Sequence, residues 1–205
     1  MKRPMTALVA SHCPAWSGAT DVQTGLTEHA WSARVVEQAA LIGRLCHMDC
    51  HALIATGHDA AKNRRYKLNT LQAWARGGLD LAIEVHFDVL AGARGATAGY
   101  WDDSVWARQV ATELRNAVAR AHPTGARRQM IRYPDARYPR DWWCRSVREI
   151  QGVTPILLEC ATIPADGAWL ASPGCEMRIA RQIIEGLQSA RQIQLHTAVD
   201  RRPEG

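Results

Sequence analysis

Residues 79–87, LDLAIEVHF, restrict the fold more than any other stretch, because the run is nearly continuous in apolar residues and is followed by loop chemistry. Such a run belongs to a central strand covered on both faces of its sheet. Three shorter runs, 6–11 (TALVAS), 51–56 (HALIAT) and 155–160 (PILLEC), read as companion strands. Pro155 opens the last of these, at the strand position where a missing N–H removes no ladder bond. Between the strands the periodicity changes to that of helices. Trp31, Val35, Ala39, Ile42 and Cys46 recur at three- and four-residue spacing over about 26–45, and Glu28 shares their stripe. Further helices are expected at 67–76, at 104–121 with Trp106, Val110, Leu114 and Val118 inward, and at 175–195 with Met177, Ala180, Ile184 and Leu187 inward. Residues 91–103 (AGARGATAGYWDD) and 122–146 read as irregular. Strands alternating with helices imply an α/β fold: a single three-layer domain, a mainly parallel central sheet with helices on both faces.

A chain of 205 residues is long enough for one well-packed domain, and no linker or repeat divides it, so residues 1–205 are expected to form a single domain with no second unit. Lys and Arg total 25 against 20 Asp and Glu, which favours anionic partners without the density of a nucleic-acid-binding arm. The start, MKRPMTALVA, is interrupted by Pro4 and Thr6 and is too short for a secretory signal. No segment reaches the ~20 apolar residues needed to span a bilayer. The expectation is a soluble protein made in the cytoplasm, without membrane contact, whose six cysteines are reduced.

In open α/β sheets ligands collect at the carboxyl ends of the strands. That rule gathers His12 after the first strand, His86 near the end of the third, Glu159 at the end of the last, and Glu28 in the first turn of the first helix. Two His and one carboxylate are a recurrent ligand set for catalytic zinc, and the carboxylate left over is then available as a general base. The stretch Cys46-His47-Met48-Asp49-Cys50-His51 is richer in soft ligands, but it lies between a helix end and a strand start, at the amino edge. Cys46, on the buried stripe, is expected to behave as a small apolar residue. A Glu ending the apolar run Ile156-Leu157-Leu158 is costly to bury without a partner, which singles out Glu159.

The order of these pieces resembles the zinc-dependent N-acetylmuramoyl-L-alanine amidases of the amidase 3 type. The resemblance is carried by Ser11-His12-Cys13, Leu26-Thr27-Glu28, Glu84-Val85-His86-Phe87-Asp88, Pro155-Ile156-Leu157-Leu158-Glu159 and the final helix from Ile179 to Leu187, and it extends over about 6–190. It implies Zn2+ held by His12, Glu28 and His86, with Glu159 as the catalytic base. The implied reaction is hydrolysis of the amide between N-acetylmuramic acid and L-alanine in peptidoglycan, by a monomer. The sequence departs from the family where Cys13-Pro14 replaces glycines after the first His, where Asp88 replaces Asn, and where Glu84 replaces a small polar residue. Side chains two apart on a strand share a face, so Glu84 is expected to lie behind the His86 imidazole and to support it.

Residues 127–145 (RRQMIRYPDARYPRDWWCR) interleave Arg with Tyr and Trp. They read either as a surface excursion packed on the domain or as a substrate lip, with Trp142 or Trp143 against the sugar and Arg140 facing peptide carboxylates. The same composition suits single-stranded nucleic acid, the alternative from a different class. A zinc carboxypeptidase or an amidohydrolase of small acyl amino acids would use the same ligands as the amidase and differ in product. A cell-wall enzyme without a signal peptide fits a phage lysin that crosses the membrane through a separate pore; a cytoplasmic enzyme of peptide recycling is the other setting.

Overall fold

The computed structural model of the chain describes residues 4–89, 93–101, 104–128, 130–133, 150–163 and 165–199. Its elements run β1 (Met5–Ala10), α1 (Glu28–Leu45), β2 (Asp49–Leu53), α2 (Ala60–Gly77), β3 (Leu79–Asp88), β4 (Thr97–Trp101), α3 (Val105–Ala121), β5 (Ile131–Tyr133), β6 (Thr154–Thr162), α4 (Gly167–Leu170) and α5 (Cys175–Val199). The strands form one sheet in the order β2-β1-β3-β6-β4-β5. Every pairing is parallel except that of β4 with β6.

The two-residue period of the strands divides the interior into two layers. Leu8 and Ala10 of β1 and Leu81, Ile83, Val85 and Phe87 of β3 face α1, α3 and α5, meeting Trp31, Val35, Leu114, Ile179 and Ile183. Ala7 and Val9 of β1 and Ala82 of β3 face the other way, toward Leu71 and Leu68 of α2. Helices therefore cover both faces. The start of each of three helices is set locally, since the side chains of Thr27, Asp59 and Ser104 accept the N–H groups of Ala30, Lys62 and Ala107. Gly78, at φ 105°, ends α2 in the left-handed conformation that glycine adopts at little cost.

Four details differ from the sequence reading. Residues 97–101 form β4, although their Gly and Ala content reads as loop: Ala98 is fully buried and Thr97 nearly so, on a strand paired with β6 through Thr97↔Glu159 and Ala98↔Leu158. The irregular segment 122–146 contains β5, paired to β4 through Gly99↔Ile131. Strand β2 starts at Asp49, ahead of the expected 51, because the parallel register continues down to Met5↔Asp49. Helix α2 starts at Ala60 behind its Asp59 cap, well before the expected 67. Among the described residues no helix is long and apolar enough to cross a membrane.

Candidate metal centre

The carboxyl ends of β1 and β3 lie side by side, with Ala10 opposite Val85, so the residues just beyond them share one edge of the sheet. His12 leaves β1 with φ 52°, a left-handed conformation uncommon for a residue with a side chain. The turn is held from below by Lys67 of α2, whose buried ammonium donates to the carbonyls of Ala10, at 2.5 Å, and His12, at 3.0 Å. Ser11 docks on α1, its hydroxyl 2.9 Å from that of Ser32.

Glu28 is the first residue of α1, and only 5% of it is exposed. Its carboxylate lies between two imidazoles, with Oε2 3.0 Å from His12 Nε2 and Oε1 2.8 Å from His86 Nδ1. The backbone N–H groups of Ala19, at 3.2 Å, and Phe87, at 3.3 Å, also donate to it. Burial alone would raise the Glu28 pKa, but the hydrogen bonds from His12 and His86 outweigh it and hold the carboxyl well below the usual carboxylate range. The donor atoms of His12, Glu28 and His86 all lie within 4.8 Å of one another, the one such metal-competent group among the described residues.

Glu84 and His86 alternate with the core-facing Ile83, Val85 and Phe87 on β3 and so share a face. Glu84 Oε1 stands 3.7 Å from His86 Nε2, on the opposite side of the ring from Glu28. Burial lowers the His86 pKa, but the hydrogen bond to the Glu28 carboxylate and the negative charge of nearby Glu84 prevail and push it up to about 10 in the metal-free chain.

Glu159 is the register partner of His86 on the adjacent strand β6. Its Oε2 is buried and has no hydrogen-bond partner. Burial, reinforced by the nearby Glu28 and Asp88 and opposed by His86 and Arg128, pushes its pKa up to about 8. Asp88 itself accepts from the Arg128 guanidinium at 2.5 Å. The structure thus brings His12, Glu28, His86, Glu84 and Glu159 together at one edge. Trp142, Trp143 and Arg140 lie outside the described residues.

The cysteine-rich stretch disperses. Cys46 caps the end of α1 and is exposed, which corrects its expected place on the buried stripe: the helix has ended, and the chain turns away through His47 at φ 58°. Cys50 is buried on β2 against Gly43 of α1, where a Cβ would come within 2.7 Å of its sulfur, and burial pushes its thiol up to about 11. His51 points the other way, its ring against Trp74 of α2 and its Nε2 2.7 Å from Asp49.

Gly18, Trp16 and Lys67 escaped the sequence reading as site residues. Gly18 has φ 74°, and a Cβ on it would stand 2.5 Å from Glu28 Oε2 and 2.7 Å from His12 Nε2. Its missing side chain leaves free the space that an ion between those atoms needs. Lys67 did leave a trace, as a charged residue on the four-residue stripe Asn63-Lys67-Leu71 that α2 buries.

Searches with the sequence alone return nothing: no family model matches, and no curated protein does. Solved structures match over nearly the whole chain. The N-acetylmuramoyl-L-alanine amidase AmiC2 of Nostoc punctiforme superposes with a TM-score of 0.67 at 16% identity, covering 92% of this chain and 97% of that one. The CwlD amidase of Clostridioides difficile, solved with the GerS lipoprotein, gives a TM-score of 0.70 at 12% identity, over 92% of this chain and 99% of that one. The catalytic domain of the CD27L endolysin, which targets Clostridia Difficile, gives 0.66 at 17% identity, over 91% and 98%. The chain has the amidase fold. Identities this low establish architecture, so activity has to be argued from the site.

Proposed function

We propose that this protein is a zinc-dependent amidase of peptidoglycan, hydrolysing the bond between N-acetylmuramic acid and the L-alanine of the stem peptide. The observation that carries the reading is the His12-Glu28-His86 cluster, two half-buried imidazoles around a buried carboxylate, beside an unpartnered Glu159 oxygen at the carboxyl edge of a sheet with the amidase fold. Two imidazole nitrogens and a carboxylate suit zinc, and Gly18 leaves room beside them. When bound, zinc supplies Lewis-acid polarisation of the scissile carbonyl and lowers the pKa of an attacking water.

The remaining work falls to the chain's own residues. Glu84 braces the His86 ring from behind, holding its orientation and tautomer. Glu159 takes a proton from the attacking water as the new carbon–oxygen bond forms and delivers it to the alanine nitrogen as the carbon–nitrogen bond breaks. Burial raises the pKa of this carboxyl to about 8, which favours the protonated form that hands the proton to the leaving nitrogen. The setting we propose is that of a monomeric phage lysin acting on the cell wall, the role to which the likeness to an endolysin catalytic domain lends support.

Isolated sacculi incubated with the protein, with and without a chelator, test the reading by mass spectrometry. Chelator-sensitive release of whole stem peptides with a new N-terminal alanine is expected. Release of single amino acids would instead identify a carboxypeptidase, and chelator-insensitive binding to single-stranded nucleic acid without hydrolysis would favour the binding-module alternative.

A further inference from the structure

Beside the metal-competent cluster stands an aromatic residue that hydrolysis does not require. Trp16 is 65% exposed, although its ring meets the His12 imidazole at 4.8 Å between centroids, the two planes at 90°. A perpendicular contact occupies at most one indole face. The ring is carried on a short, stiff turn: the Cys13 N–H donates to the Trp16 carbonyl at 3.1 Å and the Trp16 N–H to that of Cys13 at 3.0 Å. Pro14 occupies the second turn position, which its fixed φ favours, and Cys13 is buried beneath. The turn fixes where the indole is carried and the His12 ring contacts it, which reduces the freedom that binding would otherwise take from it.

The order of the strands says which part of a substrate reaches it. His12 and Trp16 follow β1, His86 sits on β3 and Glu159 on β6, and β3 lies between β1 and β6 in the sheet. Glu159 delivers its proton to the amide nitrogen, so the leaving peptide lies on the β6 side. The acyl half of the bond, with its sugar, then extends over β1. A flat indole with an open face suits the apolar face of a pyranose, with its polar N–H left at the rim. We infer that Trp16 is the binding platform for the muramyl sugar on the acyl side of the scissile bond.

This inference rests on the amidase reading, and product binding separates the two. The zinc-loaded full chain and its Trp16→Ala variant are titrated calorimetrically with a peptide-free disaccharide containing N-acetylmuramic acid, and separately with free stem peptide. Zinc content and melting temperature are recorded alongside. The variant should keep its zinc and its melting temperature and lose roughly tenfold or more in disaccharide affinity, about the loss of 1.4 kcal/mol. Its stem-peptide affinity should not change, and Trp16→Tyr should recover most of the loss. Equal disaccharide binding by wild type and Trp16→Ala, or no binding by wild type, would overturn the platform while leaving hydrolysis of sacculi intact as support for the amidase. Loss of zinc in both Trp16→Ala and Trp16→Tyr would make Trp16 a prop for His12 and also overturn it. Disaccharide binding by a wild type that cannot cleave sacculi would sink the amidase reading and leave the sugar site standing.

Discussion

Two regions of this chain compete for the look of a metal site. The stretch from Cys46 to His51 puts four soft ligands within six consecutive residues, whereas His12, Glu28 and His86 are scattered over the first half of the chain. The scattered set is the one that converges. In the compact stretch a helix end exposes Cys46, and the alternation of β2 sends Cys50 and His51 to opposite faces. Adjacent residues on a strand cannot share a ligand, while residues ending neighbouring parallel strands are brought within reach by the register itself. Metal sites are made by topology more than by local density of ligands.

The largest effect that would break this comparison is on metal content. His12→Ala or His86→Ala should abolish zinc binding and hydrolysis, measured as zinc per chain after dialysis. A Cys46→Ser, Cys50→Ser double variant should keep its zinc, though placing a hydroxyl where the Cys50 sulfur is buried lowers stability by about 1–3 kcal/mol. Retained zinc in the His variants, or its loss in the Cys variant, would reverse the assignment.

Next comes the division between ligand and base. Glu159→Gln should keep zinc and fold and lose roughly 10²-fold or more in turnover. Near-normal turnover would remove Glu159 from the reaction. A smaller change is expected for Glu84→Gln, which leaves the ligands in place but weakens the support of the His86 ring. Metal affinity should fall by about 10- to 100-fold, the usual scale for such outer contacts. Competition titration with a chromophoric chelator reads this, and an unchanged affinity would make Glu84 a bystander.

The subtlest test is pH. In the metal-free chain the depressed Glu28 pKa contributes stability that is present above its ordinary 4.5 and lost as the solution is acidified. The raised His86 pKa contributes stability that is full below 6.5 and lost as pH rises through about 10. The pair's contribution is therefore complete between about pH 4.5 and 6.5 and declines on either side. Zinc loading must displace the His86 proton, so affinity for zinc should rise over the same alkaline range in which the metal-free form loses this contribution. Thermal melts with and without chelator, compared with Glu28→Gln, should show opposite trends above pH 6.5. Parallel trends would mean that the Glu28-His86 contact is not what links stability to protonation.

Some of this protein is written in the chain itself. The apolar run of β3 and the three- and four-residue stripes of α1, α3 and α5 follow from the burial of one face or two, and periodicity records burial directly. The gathering of His12, His86 and Glu159 toward the carboxyl side of the sheet follows as soon as the order of elements is known, although β6 runs on to Thr162, past the strand end expected at 160. Other features were decided by partners distant in sequence. The Gly and Ala of β4 look like loop until β6 supplies the hydrogen-bond partners that make the segment a strand. Lys67 leaves only the trace of a charge on a buried stripe, and its role appears when the turn after β1 presents two carbonyls to its ammonium. Gly18 and Trp16 acquire their meaning from the Glu28 oxygen and the His12 ring they stand beside. Periodicity and charge are properties of neighbours in sequence, so the chain alone carries them. Converging side chains are neighbours only in space, and it takes the assembled sheet, with its register and its loops, to decide which of them meet.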